Sequence, residues 1–581
     1  MCLNMMKKIK SVRGASLILS IVLFSMSSAQ AQDLSDIGRQ KPVNFYGGVS
    51  LRSIHYQASG IENRRQPFTY IVSGSPVVSI YGIEIPLQFM FSKKEQSFQQ
   101  PFNRFGLSPT YKWITLHGGY RNVNFSPYTL AGHTMLGGGI ELNPGKLRLG
   151  VMYGRLNRAT TIDTLTQSLV PFSFDRKGLA AKLGFGTKEN FFDLHLLMAK
   201  DDSTSLHAPS LMPVERQVFA AANSVLGYGT KLQFFRHFNF HSDGAVSVYT
   251  RDLNSPIQFD DDQIDDRRLK SLKNLLHVNG STEWFLAFNA GVGYQRTLYG
   301  VNLNYRRVEP EFKSMGAYYF TDDVQNLTIA PHFTLLNGRL RFNGSFGVES
   351  DNVNLQKQST SKRIIGSTIL NTNITPNFGV DLNYSNYSNN QKPNTLLVAD
   401  SLKIVQTTQT FSMMPRYHIP GTNMHQMIMA SVNFNGMKDY NNYFDSEANN
   451  RNVFTGQYML NYQVSFPQKM MSLFSSLSYT KMTAADVETI YQGLTLGGNY
   501  SFAKRRFQTG LNTNFMQGKM VSGNSFIFNG SANLSYQIDR LQTIRLGFFV
   551  TTNNPGSAIT GMHPSFTETR GEFVYQINLG R

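Results

Sequence analysis

Ser525-Phe526-Ile527-Phe528-Asn529-Gly530-Ser531-Ala532-Asn533-Leu534-Ser535-Tyr536-Gln537-Ile538 decides the fold class. Side chains of an extended chain alternate between faces, so Phe526, Phe528, Gly530, Ala532, Leu534, Tyr536 and Ile538 share one side, while Ile527, Asn529, Ser531, Asn533, Ser535 and Gln537 share the other. This is a strand with one apolar and one polar face. The pattern returns in Phe378, Val380, Leu382, Tyr384, in Tyr458, Leu460, Tyr462, Val464, Phe466 and in Leu494, Leu496, Gly498, Tyr500, Phe502. In the first two, the apolar positions alternate with Gly379, Asp381, Asn383, Ser385 and with Gln457, Met459, Asn461, Gln463, Ser465.

Segments of about ten residues with this alternation, separated by turns, are the signature of a transmembrane β-barrel with lipid outside and water inside. A soluble sandwich also alternates. It needs a dry apolar interior, whereas the polar faces here are Asn, Ser, Gln and Thr, and aromatics cluster at apparent strand ends such as Tyr318, Tyr319, Phe320 and Phe548, Phe549. No stretch after residue 31 reaches the 18 apolar residues of a helical membrane span.

Composition agrees. Of 581 residues, 12 % are aromatic and only 16 % charged, with 48 glycines and a formal charge of +18 from 55 Lys+Arg against 37 Asp+Glu. Such a chain is too aromatic for disorder and too poor in charge for a coiled coil. Residues 1–31 read as a secretory signal: Lys7, Lys8, Lys10 and Arg13 precede the apolar run Ala15–Ser27, and Ala29-Gln30-Ala31 fits a cleavage site. Its removal lowers the charge to +14 and takes away Cys2, the only cysteine. Disulfides and thiol chemistry are thereby excluded from the mature chain. Residues 32–41 are expected to form a short periplasmic segment and residues 42–581 the barrel.

Connection lengths support the same reading, because bacterial barrels pair short periplasmic turns with long external loops. Long connections are expected near 438–451, 482–490, 518–525 and 553–565, and short ones near 467–470, 503–506 and 539–541. Phe502 and Phe507 both point outward if Ala503–Arg506 is a four-residue turn. Asp539-Arg540-Leu541 must be an odd loop, or hide a bulge, for Tyr536 and Ile544 to share a face. Further short turns are expected at 143–146, near Lys188, at 235–238, near Thr297-Leu298 and at 337–339, with long loops at 158–176, 200–220, 252–281 and 388–405. About 25 strand candidates result. Single-chain bacterial barrels are even, so the expectation is an all-β, antiparallel barrel of 24 or 26 strands.

A lumen of that width must conduct, be plugged or hold a partner. Only about ten residues precede the first strand candidate, too few for the separate plug of a TonB-dependent transporter. The stretches Ser108-Pro109-Thr110-Tyr111-Lys112-Trp113, Phe125-Ser126-Pro127-Tyr128-Thr129-Leu130-Ala131-Gly132-His133, Glu141-Leu142-Asn143-Pro144-Gly145-Lys146 and Ser314-Met315-Gly316-Ala317-Tyr318-Tyr319-Phe320 resemble the large, uncharacterised outer-membrane β-barrel proteins of Bacteroidota. That resemblance implies location and fold, not an activity. The chain departs from the terminal aromatic common in outer-membrane proteins, ending Leu579-Gly580-Arg581, which leaves Phe573 and Tyr575 for recognition by the barrel insertion machinery.

The candidate site is a lumen constriction. Pro127 and Gly132 interrupt the alternation, and an aromatic-rich loop carrying Phe125, Pro127, Tyr128, Leu130 and His133 can fold inward; the other reading is an external loop tethered by its apolar residues. The acidic run Asp260, Asp261, Asp262, Asp265, Asp266 lacks the glycine and distal glutamate of a helix-loop-helix calcium site. Arg267–Leu276 has the spacing of a short loop helix. Twelve scattered histidines, no Gly-x-Ser-x-Gly elbow and no His-Glu-x-x-His point away from an enzyme, and no cofactor is expected.

The basic excess serves either anion attraction through the lumen or contact with lipid and lipopolysaccharide phosphates at the rims, and Lys504, Arg505 and Arg506 favour the rim. Nucleic acid has no recognition element here. The functional expectation is a porin-like outer-membrane channel narrowed by its own loops. The alternative is a non-conducting scaffold or partner-binding subunit of an export or surface-display complex.

Overall fold

The computed structural model describes residues 42–81, 83–92, 104–160, 173–205, 219–258, 276–317, 321–357, 359–393, 404–439, 451–485, 487–520, 523–556 and 564–580. Its strands pair each with the next, antiparallel, from Val43–Ser59 round to Phe566–Leu579. The last strand then pairs with the first, Gly47 opposite Leu579 through to Ser59 opposite Thr567, so the sheet has no free edge. Two staves are each interrupted by a serine-proline pair: Phe68–Gly74 continues as Val77–Ile80 past Ser75-Pro76, and Arg104–Leu107 continues as Thr110–Tyr111 past Ser108-Pro109. Proline cannot donate to the ladder, which explains the breaks. Counted as single staves, they bring the barrel to the larger of the two expected numbers, 26.

The register fixes both faces. Leu534 lies opposite Thr509 and Leu546, and Asn533 opposite Gly510 and Gly547. Leu511, Phe515, Phe526, Leu546 and Phe548 are exposed on the outer face, as lipid-facing side chains must be. At the short-turn end the outward aromatics form a band. Phe502 stacks on Phe507 at 5.0 Å, Phe507 on Tyr536 at 4.4 Å, and Phe238 lies 4.9 Å from Tyr294. Such a girdle marks the membrane-water interface.

The short turns at 143–146, 187–190, 235–237, 296–298, 336–339, 467–470 and 503–506 stand where expected. Ile538 N–H donates to the Gln542 carbonyl at 3.0 Å, so Asp539-Arg540-Leu541 is the odd loop; Asp539 Oδ1 accepts from both Leu541 N and Gln542 N at 2.7 Å.

Two expectations fail. The connection expected at 482–490 is only residues 485–486, between strands Met471–Ala484 and Val487–Phe502, and that expected at 518–525 is only residues 521–522, between Phe507–Met520 and Gly523–Gln537. Apolar alternation fades where these strands leave the membrane, but the backbone ladder continues; Lys481 pairs with Glu488 at 2.6 Å in that extension. Strict alternation of connection lengths breaks at these two hairpins. The signal segment, residues 32–41, the acidic run and most of Arg267–Leu276 lie outside the described residues.

Candidate functional site: two segments docked inside the lumen

The inner wall is not polar throughout. Along the strands from Thr134–Leu142 to Tyr299–Val308, lumen-facing positions hold Met135, Met152, Ala180, Leu197, Val225, Ala245, Ala287 and Val308, all buried. Their outward neighbours Val151, Leu183, Leu194 and Leu226 are exposed, so the burial comes from inside the barrel. The expectation of Asn, Ser, Gln and Thr on every inner face is corrected on this arc.

Two long-loop segments cover it. Residues 123–133, between strands Ile114–Asn122 and Thr134–Leu142, and residues 309–317, after Tyr299–Val308, fold inward and pair in parallel, Leu130 opposite Gly316 and Ala131 opposite Ala317. Tyr128 meets Phe312 edge-on with ring centroids 5.9 Å apart. Ser314 Oγ donates to the Thr129 carbonyl at 2.5 Å. The wall grips the second segment through polar contacts as well: Met315 N–H donates to Asn223 Oδ1 at 2.9 Å, and Ser247 Oγ donates to the Lys313 carbonyl at 2.6 Å. Asn223 Nδ2 in turn donates to Ser247 Oγ at 2.8 Å, so the amide that receives the loop is fixed by the wall.

Close approach depends on glycine. A Cβ on Gly316 would lie 2.7 Å from the Thr129 carbonyl oxygen and 2.9 Å from Leu197 Cδ2, and one on Gly227 would lie 2.8 Å from Thr129 Cγ2. Gly316→Val is therefore expected to weaken docking by about 1–3 kcal/mol through overpacking. Limited proteolysis of the reconstituted barrel should cut near residues 310–317 faster than in the parent protein, and equal rates would contradict the packing.

Of the sequence-derived candidates, Tyr128, Leu130 and His133 are buried in this dock, Phe125 is half-buried and Pro127 is exposed. Phe125 stacks on the His195 ring at 6.4 Å, with Lys182 Nζ 5.0 Å from its centroid. The candidate loop thus packs against the inner wall through Tyr128, Leu130 and His133, with Pro127 left exposed. Its partner segment, Ser314–Ala317, was not anticipated; Tyr318, Tyr319 and Phe320, expected at a strand end, lie outside the described residues. No sequence signal marked it, because the inner faces of Phe191–Asp201 and Ala222–Phe234 mix Leu197, Ala199 and Val225 with Asp193, His195, Asn223 and Lys231.

Burial pushes the His133 imidazole down to about 4; the charge of Arg176 acts in the same direction, against the bond to the Thr134 carbonyl, which lies 3.2 Å from Nδ1. Neutral His133 therefore donates from Nδ1. An undocked ring would take up a proton below its ordinary 6.5, while the docked ring does so only near 4. Docking is at full strength above pH 6.5 and weakens as pH falls toward 4, by about 3 kcal/mol at most. Amide exchange in residues 124–133, corrected for intrinsic rates, should be faster at pH 4.5 than at pH 7.5, and His133→Gln should remove the difference. Equal protection at both values in the parent protein would contradict this.

Below the dock, toward the short turns, the same arc carries a charged network that the sequence did not announce. Ser108 Oγ lies 2.7 Å from His117 Nδ1, His117 Nε2 lies 3.1 Å from Glu141 Oε1, and Lys182 Nζ lies 3.1 Å from Glu141 Oε2. Arg148 clasps Asp193 through Nε at 2.8 Å and Nη2 at 2.8 Å; at the other, long-loop end of these strands Arg176 pairs with Asp201 at 2.7 Å. Bidentate pairs of this kind hold inward charges that neither lipid nor the apolar dock could satisfy. Among the described residues, no group of three or more His, Cys, Asp or Glu could hold a metal ion.

A closed sheet with lipid-facing side chains outside and a partly wet interior has one habitat for a bacterial chain of this kind. The protein is an integral outer-membrane β-barrel. Neither a protein-family model nor a curated protein sequence matches it. Solved structures similar to it include the P pilus usher (PapC) translocation pore, 9 % identical over 92 % of this chain and 100 % of that one, with a TM-score of 0.34. The FrpB iron transporter from Neisseria meningitidis is 11 % identical over 92 % of this chain and 81 % of that one, at 0.37. The outer membrane protein opdK from Pseudomonas aeruginosa is 8 % identical over 62 % and 94 %, at 0.30.

Proposed function

We propose that the protein is an outer-membrane channel, porin-like in conducting small solutes, whose lumen is narrowed by its own docked segments. The observation that carries this reading is the pairing of residues 130–131 with 316–317 against an apolar arc of the inner wall. A barrel of 26 strands is far wider than its side chains can fill, and internal segments of the same chain are the economical way to reduce it. Because the dock occupies the arc from Thr134–Leu142 to Tyr299–Val308, the route for solute runs along the opposite wall.

Lumen-facing cations do not make the channel an anion trap. Arg52 pairs with Glu572 at 2.9 Å, Arg363 with Glu349 at 3.4 Å, and Arg416 with Asp381, in addition to the pairs beneath the dock. The basic excess serves the rims instead, where Lys504, Arg505 and Arg506 are exposed beside the aromatic girdle and meet lipid and lipopolysaccharide phosphates. Insertion machinery engages the outward Phe573 and Tyr575 of the closing strand. Planar-bilayer recording of the purified barrel tests the proposal: stepwise conductance supports it, and a silent barrel moves the reading to a scaffold that binds an envelope partner.

A further inference from the structure

The wall opposite the dock has a chemistry of its own. The six strands from His425–Asp439 to Gly523–Gln537 turn toward the lumen Asn433, Asn435, Gln457, Asn461, Gln463, Asn499, Asn512, Asn514, Asn529 and Asn533, interleaved with Ser, Thr and Met. Among the described lumen-facing positions of these strands, Asp439 at the long-loop rim is the one Asp, Glu, Lys or Arg. Elsewhere the wet wall carries ion pairs. The contrast separates an uncharged amide track from a charged frame.

The amides are held in place. Asn514 Nδ2 donates to Thr495 Oγ1 at 2.9 Å, and Thr551 Oγ1 donates to Asn529 Oδ1 at 2.9 Å. A carboxamide offers two donors and two acceptor lone pairs, so these lateral bonds leave capacity on each group for a solute. Aromatic rings lie along the same track. A Cβ on Gly497 would lie 2.2 Å from Phe474 Cζ, and one on Gly518 would lie 2.9 Å from Tyr491 Cε1, so both rings occupy the space that these glycines leave. Both residues are half-buried.

At its far side the track folds into a cleft of about 310 Å3 lined by Asn512, Asn514, Asn529, Ser531, Phe549 and Arg570. Its charged members are Arg65, Arg570 and Glu568; Arg570 lies 3.1 Å from Glu572 and 4.3 Å over the Phe549 ring, and Tyr56 donates to Glu568 at 2.7 Å. Pore selectivity follows the hydrogen-bond groups and electrostatic barriers that line it. Fixed amides, aromatic rings and a wall nearly free of charge suit a solute rich in hydroxyls, with apolar C–H faces and no net charge.

We infer that this wall and its cleft bind neutral oligosaccharides. Passage of such solutes rests on the channel reading above; binding does not. Isothermal titration calorimetry on the folded full-length barrel, with maltohexaose, cellohexaose and chitohexaose, reads binding alone, while bilayer recording of the same preparation reads conductance. At least one neutral hexasaccharide should bind, with an affinity unchanged between low salt and about 0.5 M NaCl, since no net charge is engaged.

Asn512→Leu combined with Asn529→Leu should weaken it about tenfold or more, and Phe474→Leu, which keeps an apolar side chain, should weaken it less steeply. Absence of binding by all three sugars overturns the inference even if the barrel conducts. So does tighter, salt-sensitive binding of a sulfated hexasaccharide, or an affinity unchanged in the amide variants while circular dichroism shows them folded. Sugar binding by a silent barrel upholds the inference and removes the channel reading.

Discussion

Replacing Val123–His133 by a short Gly-Ser link is expected to raise single-channel conductance several-fold, and replacing residues 309–317 as well should raise it further. The first segment supplies Tyr128, Leu130 and Thr129 to the dock, and the second loses its strand partner when the first is gone. Water then reaches Met152, Leu197 and Val225, which are completely buried in the intact protein. The barrel itself should persist, because its closure rests on ladder bonds that neither segment touches. Planar-bilayer steps in parent and shortened proteins give the comparison. Conductance that stays the same after both replacements would show that the docked segments do not limit the pore.

The second large effect separates the two faces of one strand. Leu534→Arg puts a charge into hydrocarbon and should cost roughly 2–4 kcal/mol if it lies near the midplane, whereas Asn533→Arg enters a wet lumen and should cost little. Leu534 shares its side with Leu546, and Asn533 shares its side with Asn499 and Gly510. Denaturant titration of vesicle-folded protein, followed by the heat-modifiable gel shift, measures both. Equal losses would mean that the inner and outer faces have been interchanged.

The barrel was legible because its physics is periodic. In Ser525–Ile538 and Tyr458–Phe466, lipid on one side and water on the other impose an alternation that survives any choice of individual residue. Turn positions followed where Asn-Pro-Gly-Lys at 143–146 or Asn-Gly at 337–338 punctuates the alternation, and Asn337 and Gly338 both take the left-handed conformation that such turns require. The hairpins at 485–486 and 521–522 were missed for the complementary reason. Outside the membrane no solvent contrast marks the faces, and only the backbone ladder, silent in sequence, carries the strand onward.

The dock was half legible. Pro127 and Gly132 announced a break in alternation, and the aromatic content of Phe125–His133 suggested an inward course. That Leu130 would meet Gly316 could not be read, since two-residue parallel pairing between residues 186 positions apart depends on closure of the whole barrel. The inner apolar arc rests on single residues, Met152, Leu197 and Val225, set among glycines and charged side chains on the same faces, and no run of them marks it. The charged network below it was invisible because Ser108, His117, Glu141 and Lys182 converge from four different staves.

The most direct test of the docked lumen uses the absence of cysteine from the chain beyond Cys2. Ala131→Cys on the first segment and Ala317→Cys on the second place two thiols at directly paired positions. Expressed in intact cells and trapped with a maleimide before lysis, the double variant should form the intramolecular disulfide in nearly all molecules, with conductance as low as the parent protein's before and after reduction. Two free thiols, both labelled by a membrane-impermeant maleimide, would contradict the docked arrangement.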